Sequence, residues 1–218
     1  FSFQSYKLVN AGEGGVLVTD DVDLIARAVI MSGAYEHHWQ QHNELEDEAL
    51  ASAFERWQNH LPLYNLRLSN LSAAVIRAQT SEIPRRVRDG RANYNYVAQQ
   101  LSQSPWFDVP EPLEAEHRAP DSIQFNLTSM DEGQMVRFVD CARQKGVKVT
   151  IFGRSEDNAR VFWNWHFLPE RRDLPRTRAM LMSACDVRLP VWLKQPDLDV
   201  VTGILLEAVN EVMRPAKV

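Results

Sequence analysis

The chain contains 218 residues, of which 44% are apolar and 24% are charged, and its formal net charge is −5. This length allows one large domain or two small ones, and the composition excludes disordered and fibrous proteins. The acidic balance and the scattered Lys and Arg residues argue against a nucleic-acid partner, and no apolar run approaches the roughly eighteen residues of a membrane helix.

The first fifteen residues combine a strand pattern with a lysine and a glycine-rich corner. Apolar and polar residues alternate from Phe1 to Gln4, which predicts a short half-buried strand. Lys7 follows this strand and precedes the glycine-rich run at residues 12–15, which predicts a tight turn. A lysine amine has a pKa of about 10.4 and attacks carbonyls well where burial or a neighbouring cation lowers that pKa. Lys7 is therefore the candidate reactive group, and a solvated loop lysine is the competing interpretation.

The sequence from residue 15 to residue 63 predicts a strand, a helix and an irregular insertion. Residues 15–19 are rich in β-forming residues, and Asp20-Asp21 predicts the N-terminal cap of a helix. Residues 32–63 lack clear periodicity, so we predict an insertion that covers a functional site or contacts a partner. Within it, His38 and His42 would share one face of a helix, but no carboxylate stands at a metal-ligand spacing, and we predict no metal site.

The following region predicts two helices and a domain boundary. Ser69 fits the N-cap of a helix with an apolar face over residues 71–78. Pro84 belongs in a first helical turn, so a second helix or a kink is expected to begin just before it. A proline-rich stretch after this second helix indicates a boundary between domains at residues 1–102 and 103–218.

The second of these domains alternates between strands and helices. In chain order we predict a strand at 122–128, a helix at 131–145, a strand at 147–152, a helix at about 175–183 and a last helix from Pro196. Gly146 fits a left-handed C-cap of the first of these helices. The pattern predicts a small α/β domain without an internal repeat.

Two blocks of the sequence are similar to one enzyme family. The run from Ser2 through Lys7 to Gly15 resembles the Schiff-base lysine segment of the DegT/StrS-type aminotransferases, a branch of the fold type I pyridoxal-phosphate (PLP) enzymes. The block Asn65–Ala74 resembles the family's Asn-x-Arg-x-Ser segment. The resemblance implies an α/β fold: the end of a PLP-binding large domain, followed by a small C-terminal α/β domain. It also implies that the chain corresponds to the C-terminal portion of the usual family chain.

The resemblance also implies roles for three side chains. Lys7 would form the Schiff base with PLP and transfer the proton during catalysis. Ser2 matches the serine that binds the cofactor phosphate, and the alternative is a strand serine that bonds only to backbone. Asn65 matches the asparagine that reaches the partner's PLP phosphate, which implies a homodimer with shared active sites. A turn residue that caps the following helix is the alternative for Asn65.

An aromatic cluster with a nearby cation provides the candidate substrate contacts. Arg160 and Trp163 could bind a substrate carboxylate or stack against a sugar ring. A tryptophan-rich core or hinge is an equally strong interpretation of the same residues.

The expected function is transfer of an amino group from an amino-acid donor to a keto acceptor, a keto-sugar or keto-cyclitol in this family. One alternative is a PLP-dependent dehydratase, although some family members replace the lysine for that reaction and Lys7 is present here. A non-catalytic dimerisation or regulatory fragment is the second alternative. Residues 1–218 alone are expected to be inactive, because the resemblance assigns the partner of the cofactor's ring nitrogen to a preceding segment. The two cysteines form no disulfide framework, so we expect a cytoplasmic protein.

Overall fold

The computed structural model describes residues 1–33, 47–154, 159–170 and 172–214. The chain folds into two compact units, Phe1–Ile83 and Pro84–Val218. The boundary predicted from the sequence, after residue 102, lies at the other end of the helix Ile83–Leu101 and stays a prediction. None of the helices in the described ranges is both long and apolar enough to cross a membrane.

The first nineteen residues form a looped segment in place of the expected strands. In the described chain it contains one antiparallel bridge, between Ser2 and Gly15, flanked by backbone hydrogen bonds that link Phe1 to Val16 and Phe3 to Gly14. Phe1 is exposed, and so are the apolar side chains of residues 16–18. The alternating pattern therefore overestimated both strand pairing and burial. A strand requires pairing over several residues, and in the described part of the first unit the pairing of this segment is limited to that bridge and its flanking bonds.

Two short helices form the small core of the first unit. Helix α1, Val22–Met31, begins at the N-cap Asp21, whose carboxylate accepts from the Leu24 N–H at 3.1 Å. Helix α2, Glu48–Trp57, lies in the segment predicted to be irregular, so that prediction was wrong for its second part. The two helices contact each other and bury Ala26, Ile30, Ala53 and Phe54. Residues 34–46, including His38 and His42, lie outside the described residues.

Helix α3, Asn70–Thr80, begins at the predicted N-cap Ser69. Two turn residues separate it from helix α4, Ile83–Leu101, which has Pro84 in its first turn, as predicted. The expected apolar face of α3 is present but not buried, since Leu71 is 78% exposed and α3 has no buried residue. A helical period identifies the apolar face of a helix, but it does not specify which surface covers that face.

The second unit contains a four-stranded antiparallel sheet. Its strands are β1 (Phe107–Asp108), β2 (Ser122–Leu127), β3 (Val149–Ile151) and β4 (Ala184–Arg188), in the order β1-β2-β4-β3. Neighbouring strands are antiparallel, so β2 and β3, which both pair with β4, run in the same direction. The pairing register of these strands follows the alternation of buried and exposed residues along each strand. The inward-facing residues Phe125 and Ile151 both stand opposite Cys185. These elements confirm the predicted α/β class.

The described part of the second unit also contains helices α5 (Glu132–Gln144), α6 (Pro175–Ser183) and α7 (Gln195–Met213). Helix α5 begins with a capping box between Asp131 and Gln134 and is followed by Gly146 at φ +99°. The bounds of α6 are those predicted from the sequence, and α7 begins one residue earlier than predicted. Local capping and proline signals thus located these helices within about two residues.

The core of the second unit joins the inner face of the sheet to helices α5 and α7. Phe125, Phe138 and Leu205 are almost fully buried there, and Phe107 meets the ring of Phe125 edge-on at 5.1 Å between centroids. Cys185 belongs to the same core, and burial raises the pKa of its thiol to about 12. A thiol with that pKa is protonated near neutral pH, so Cys185 is a packing residue rather than a nucleophile.

Candidate active site

Lys7 lies at the end of a tight turn in the first unit. Its backbone N–H donates to the Gln4 carbonyl at 2.9 Å, which closes a four-residue turn. The base of the loop is closed by two more bonds, from the Ala11 N–H to the Phe3 carbonyl and from the Ser5 hydroxyl to the Gly12 carbonyl, at 2.9 and 3.1 Å. Residues 3–12 therefore form a compact loop around the lysine.

The glycine corner, residues 12–15, contains backbone conformations that favour glycine. Gly12 has φ +84° and Gly14 has φ +130°, where a side chain causes strain. A Cβ at Gly14 would also lie 2.7 Å from Leu68 Cδ1, so the corner packs against the segment that contains Asn65. The structure thus brings together the two sequence blocks that carried the family resemblance.

The Lys7 side chain is exposed, and it is the only lysine among residues 1–83 of the sequence. Within the described ranges its amine makes no hydrogen bond or ion pair in the structure. The closed surroundings expected around a reactive lysine are therefore not formed by the described part of this unit. The hydrogen bonds of the loop hold the Lys7 backbone in place, while the Lys7 side chain is exposed.

Ser2 lies on the same loop as Lys7, and its side chain is exposed. Its hydroxyl is placed against Gln4, accepting from the Gln4 N–H at 3.4 Å and donating to Gln4 Oε1 at 3.3 Å. These are long bonds to a flexible neighbour. Breaking these bonds therefore costs little free energy when the hydroxyl turns toward another acceptor.

Asn65 lies on an extended segment that is anchored to the end of helix α1. The Tyr64 and Leu66 N–H groups donate to the carbonyls of Met31 and Ser32, both at 2.9 Å. Asn65 is exposed, three positions ahead of Leu68, the residue that packs on the glycine corner.

The predicted substrate residues, Arg160 and Trp163, lie in the second unit. Trp163 stands in a short 3₁₀ turn and is half-buried, and the guanidinium of Arg178 lies over its ring at 4.2 Å from the centroid. Arg160 instead lies over the ring of Phe152 at 5.2 Å. Sequence analysis missed Arg178, which belongs to helix α6, because no local pattern links α6 to the tryptophan turn. The roles assigned to Arg160 and Trp163 stay predictions.

Sequence analysis also missed Gln79, the residue that joins helix α3 to the lysine loop. Its carboxamide bonds to both backbone groups of Asn10: Gln79 Nε2 donates to the Asn10 carbonyl at 2.6 Å, and the Asn10 N–H donates to Gln79 Oε1 at 3.4 Å. The two residues are 69 positions apart, so spacing in the sequence holds no signal of their contact. Among the described residues, no group of three potential metal ligands is present.

Comparisons with known proteins bear on the family and the fold of this chain. A model of the DegT/DnrJ/EryC1/StrS aminotransferase family matches residues 1–205. The aminotransferase TlmJ from Streptoalloteichus hindustanus is similar in structure, with a TM-score of 0.71, 18% identity, and coverage of 98% of this chain and 52% of that chain. For 3-amino-5-hydroxybenzoic acid synthase the TM-score is 0.70 and the identity 18%, with 96% of this chain and 53% of that chain covered.

A third similar structure is the E. coli GDP-4-keto-6-deoxy-D-mannose-3-dehydratase with bound hydrated PLP. Its TM-score is 0.68 and its identity 17%, with 94% of this chain and 53% of that chain covered. The chain thus spans about half the length of the solved structures it matches. These likenesses show the fold, which is the fold type I aminotransferase fold expected from the two sequence blocks. A comparison with curated protein sequences gives no significant match.

Proposed function

Because this chain belongs to the DegT/DnrJ/EryC1/StrS aminotransferase family, we propose that it acts in a PLP-dependent transamination from an amino-acid donor to a keto acceptor. The observation that supports this most directly is the exposed lysine on a braced turn, in the segment that first indicated the family. The amine is the only lysine amine of the first unit, so the unit offers a carbonyl cofactor one site of attachment.

The side chains of Lys7, Ser2 and Asn65 fit PLP, which has an aldehyde and a phosphate. Lys7 offers the amine that binds an aldehyde, and the exposed Ser2 hydroxyl and Asn65 carboxamide are donors suited to a phosphate. When bound, PLP supplies the electron sink that makes the proton at the substrate α-carbon acidic. We propose that Lys7 holds the cofactor covalently and then moves that proton, that Ser2 binds the phosphate of its own subunit, and that Asn65 binds the phosphate of a partner subunit.

The keto acceptor is proposed to be a keto-sugar or keto-cyclitol. One similar structure is named for a nucleotide-linked keto-deoxy sugar, which supports an acceptor of this class. Arg160 and Trp163 are the proposed substrate contacts, since both provide groups that recognise sugars or carboxylates. Arg178, which lies on Trp163, belongs with them as a cation that orients this ring. We propose a cytoplasmic location, in line with two cysteines that form no disulfide.

Dehydration is the second candidate, because one of the matched structures is a dehydratase with bound PLP. Lys7 favours transamination, since the amine is needed to return the proton and to hold the cofactor. A non-catalytic dimerisation fragment is the third candidate. The chain spans about half of the matched structures, which supports the expectation that residues 1–218 by themselves do not transaminate.

Trapping of the cofactor tests the proposed function. The protein as its gene encodes it is incubated with PLP and reduced with borohydride, and its peptides are analysed by mass spectrometry. Without donor, we expect one cofactor mass per chain, on the peptide that contains Lys7. In a parallel sample that is not reduced, we expect conversion of an added amino-acid donor to its keto acid. Trapping without donor conversion favours the dehydratase, and absence of the adduct contradicts the assignment of the cofactor to Lys7 and with it the proposed transamination.

Shared active sites in a homodimer are tested by pairing two inactive variants. A chain with Lys7→Ala and a chain with Asn65→Ala are co-expressed with different tags, and the heterodimer is purified. One of its two sites then combines an intact Lys7 with an intact Asn65, so we expect about half of the wild-type activity per dimer. A verified heterodimer as inactive as its parents would show that each subunit has a self-contained site.

A further inference from the structure

Besides its own internal bonds, the lysine loop is attached by hydrogen bonds to helix α3. Asn10 is half-buried, and its carboxamide nitrogen donates to the Lys7 carbonyl at 3.1 Å. The Asn10 backbone is in turn paired with the Gln79 carboxamide through a bond in each direction, at 2.6 and 3.4 Å. A continuous series of hydrogen bonds thus runs from the last turn of helix α3 to the backbone of Lys7.

Gln79 is itself held in place for this contact. It lies half-buried in the last turn of α3, where its carboxamide nitrogen also donates to the Val75 carbonyl one turn earlier at 3.0 Å. That bond orients the side chain along the helix, so its remaining donor and its acceptor face the loop. A glutamine side chain loses considerable rotamer freedom when ordered, and the bond to the helix reduces the number of conformers that compete with the loop contact.

The same helix begins a few residues after Asn65, another of the predicted cofactor residues. Helix α3 is capped by Ser69, four positions after Asn65, and ends at the residue after Gln79. One rigid element therefore connects the Asn65 segment at its start with the lysine loop at its end. Loops open locally far more readily than helices, so an attachment to a helix limits the excursions of Lys7.

We propose that Gln79 is a positioning residue for Lys7: its carboxamide holds the Asn10 backbone, and the Asn10 side chain holds the Lys7 carbonyl. The inference rests on the proposed function, since positioning matters only if Lys7 holds a cofactor and moves a proton. A lysine side chain has four rotatable bonds, and its fixed end decides which positions its amine samples. Because small misplacements of a reacting group lower rates steeply, weakening this attachment should reduce turnover about tenfold.

Two variants, made in the protein as its gene encodes it, interrupt the series at different places. Gln79→Met keeps the length of the side chain but removes its hydrogen bonds to the Asn10 backbone. Asn10→Ala leaves those bonds intact and removes only the bond to the Lys7 carbonyl. The matched control is Gln99→Met, a change of the same kind at an exposed position of helix α4.

The first measurement is hydrogen exchange of the Asn10 amide without cofactor. Gln79→Met should accelerate this exchange roughly fivefold, the effect of losing one net hydrogen bond. Asn10→Ala should leave exchange at the residue 10 amide near the wild-type rate, since Gln79 still accepts from it. Equal exchange in wild type and Gln79→Met would overturn the proposal at its first step.

The second measurement is turnover together with the rate of borohydride trapping at Lys7. Both variants should lower kcat about tenfold and slow trapping, with the KM of the amino donor nearly unchanged, while Gln99→Met behaves as wild type. The double variant should be no slower than Gln79→Met, because both changes interrupt one series. If the decreases in kcat of the two single variants multiply in the double variant, the positioning proposal is contradicted. It is also contradicted if the variants lower only the thermal stability and leave turnover unchanged.

The two hypotheses fail in different ways. If the wild-type protein traps no PLP at Lys7, the proposed function is wrong, and so is the role of Gln79 in positioning Lys7 for catalysis. The exchange measurement still decides whether Gln79 holds the loop. If wild type traps PLP and Gln79→Met traps it equally fast, only the positioning proposal is wrong. Should Gln79→Met fail to fold, Asn10→Ala decides the outcome, because it leaves the contact between α3 and the loop intact.

Discussion

Replacement of Lys7 by Ala should abolish transamination and remove covalent cofactor from the protein. Loss of a positioned acid or base alone lowers rates by about 10²–10⁴-fold, and Lys7 is proposed to provide both the attachment and the proton transfer. The side chain is exposed and makes no described hydrogen bond, so its truncation should leave the fold intact. The measurements are donor turnover and the cofactor mass on the Lys7 peptide after borohydride reduction.

The control for this result is Lys148→Ala, which removes an exposed lysine of the second unit. It should keep wild-type turnover, and its thermal unfolding should match that of the Lys7 variant. Retention of a borohydride-stable adduct by Lys7→Ala, at wild-type stoichiometry, would place the cofactor on another amine. Loss of activity together with a lowered unfolding temperature would mean that Lys7 supports the loop rather than the reaction.

Replacement of Phe125 by Ala should destabilise the second unit more than any surface change. Phe125 is 1% exposed and stands in the central strand pair of the sheet, in edge-on contact with Phe107. Truncation of a buried phenylalanine costs about 3–5 kcal/mol, since both transfer energy and packing contacts are lost around the cavity. We expect this loss in the free energy of unfolding, measured as a lower urea midpoint by tryptophan fluorescence.

Phe167→Ala is the matched control for the core substitution. Phe167 is 77% exposed, and its main contact is stacking on Trp165 at 6.1 Å between centroids. Its truncation should cost less than about 1 kcal/mol. A similar urea midpoint for both variants would show that the sheet and helices α5 and α7 do not form one cooperative core.

The elements that the sequence located best are those whose causes are local. Asp131 with Gln134, and Pro175 at the start of its helix, act through neighbouring backbone groups, so their helices lie where predicted. The same holds for the lysine loop as a candidate site, because Lys7 and the glycine corner lie within nine residues. These features depend on interactions between residues that are close in sequence, so they can be predicted from the sequence.

Contacts between distant segments could only be found in the folded chain. The Gln79 carboxamide reaches Asn10 across 69 positions, and Arg178 rather than Arg160 lies over Trp163. Nothing in the spacing of these residues distinguishes them from other surface glutamines and arginines. Such contacts arise because helix packing and loop closure bring together groups whose attraction is weak and nonspecific until the backbone holds them close.

The burial of the apolar faces was likewise decided by tertiary structure. Leu71 in α3 and residues 16–18 follow patterns that predict a buried helix face and a strand, yet they are exposed in the described chain. By contrast, Phe125 and Cys185 alternate in the same way and are buried, since they belong to the core that the sheet forms with the helices. Periodicity determines which side of an element is apolar, whereas burial requires a second surface, and the sequence of one element does not contain that surface.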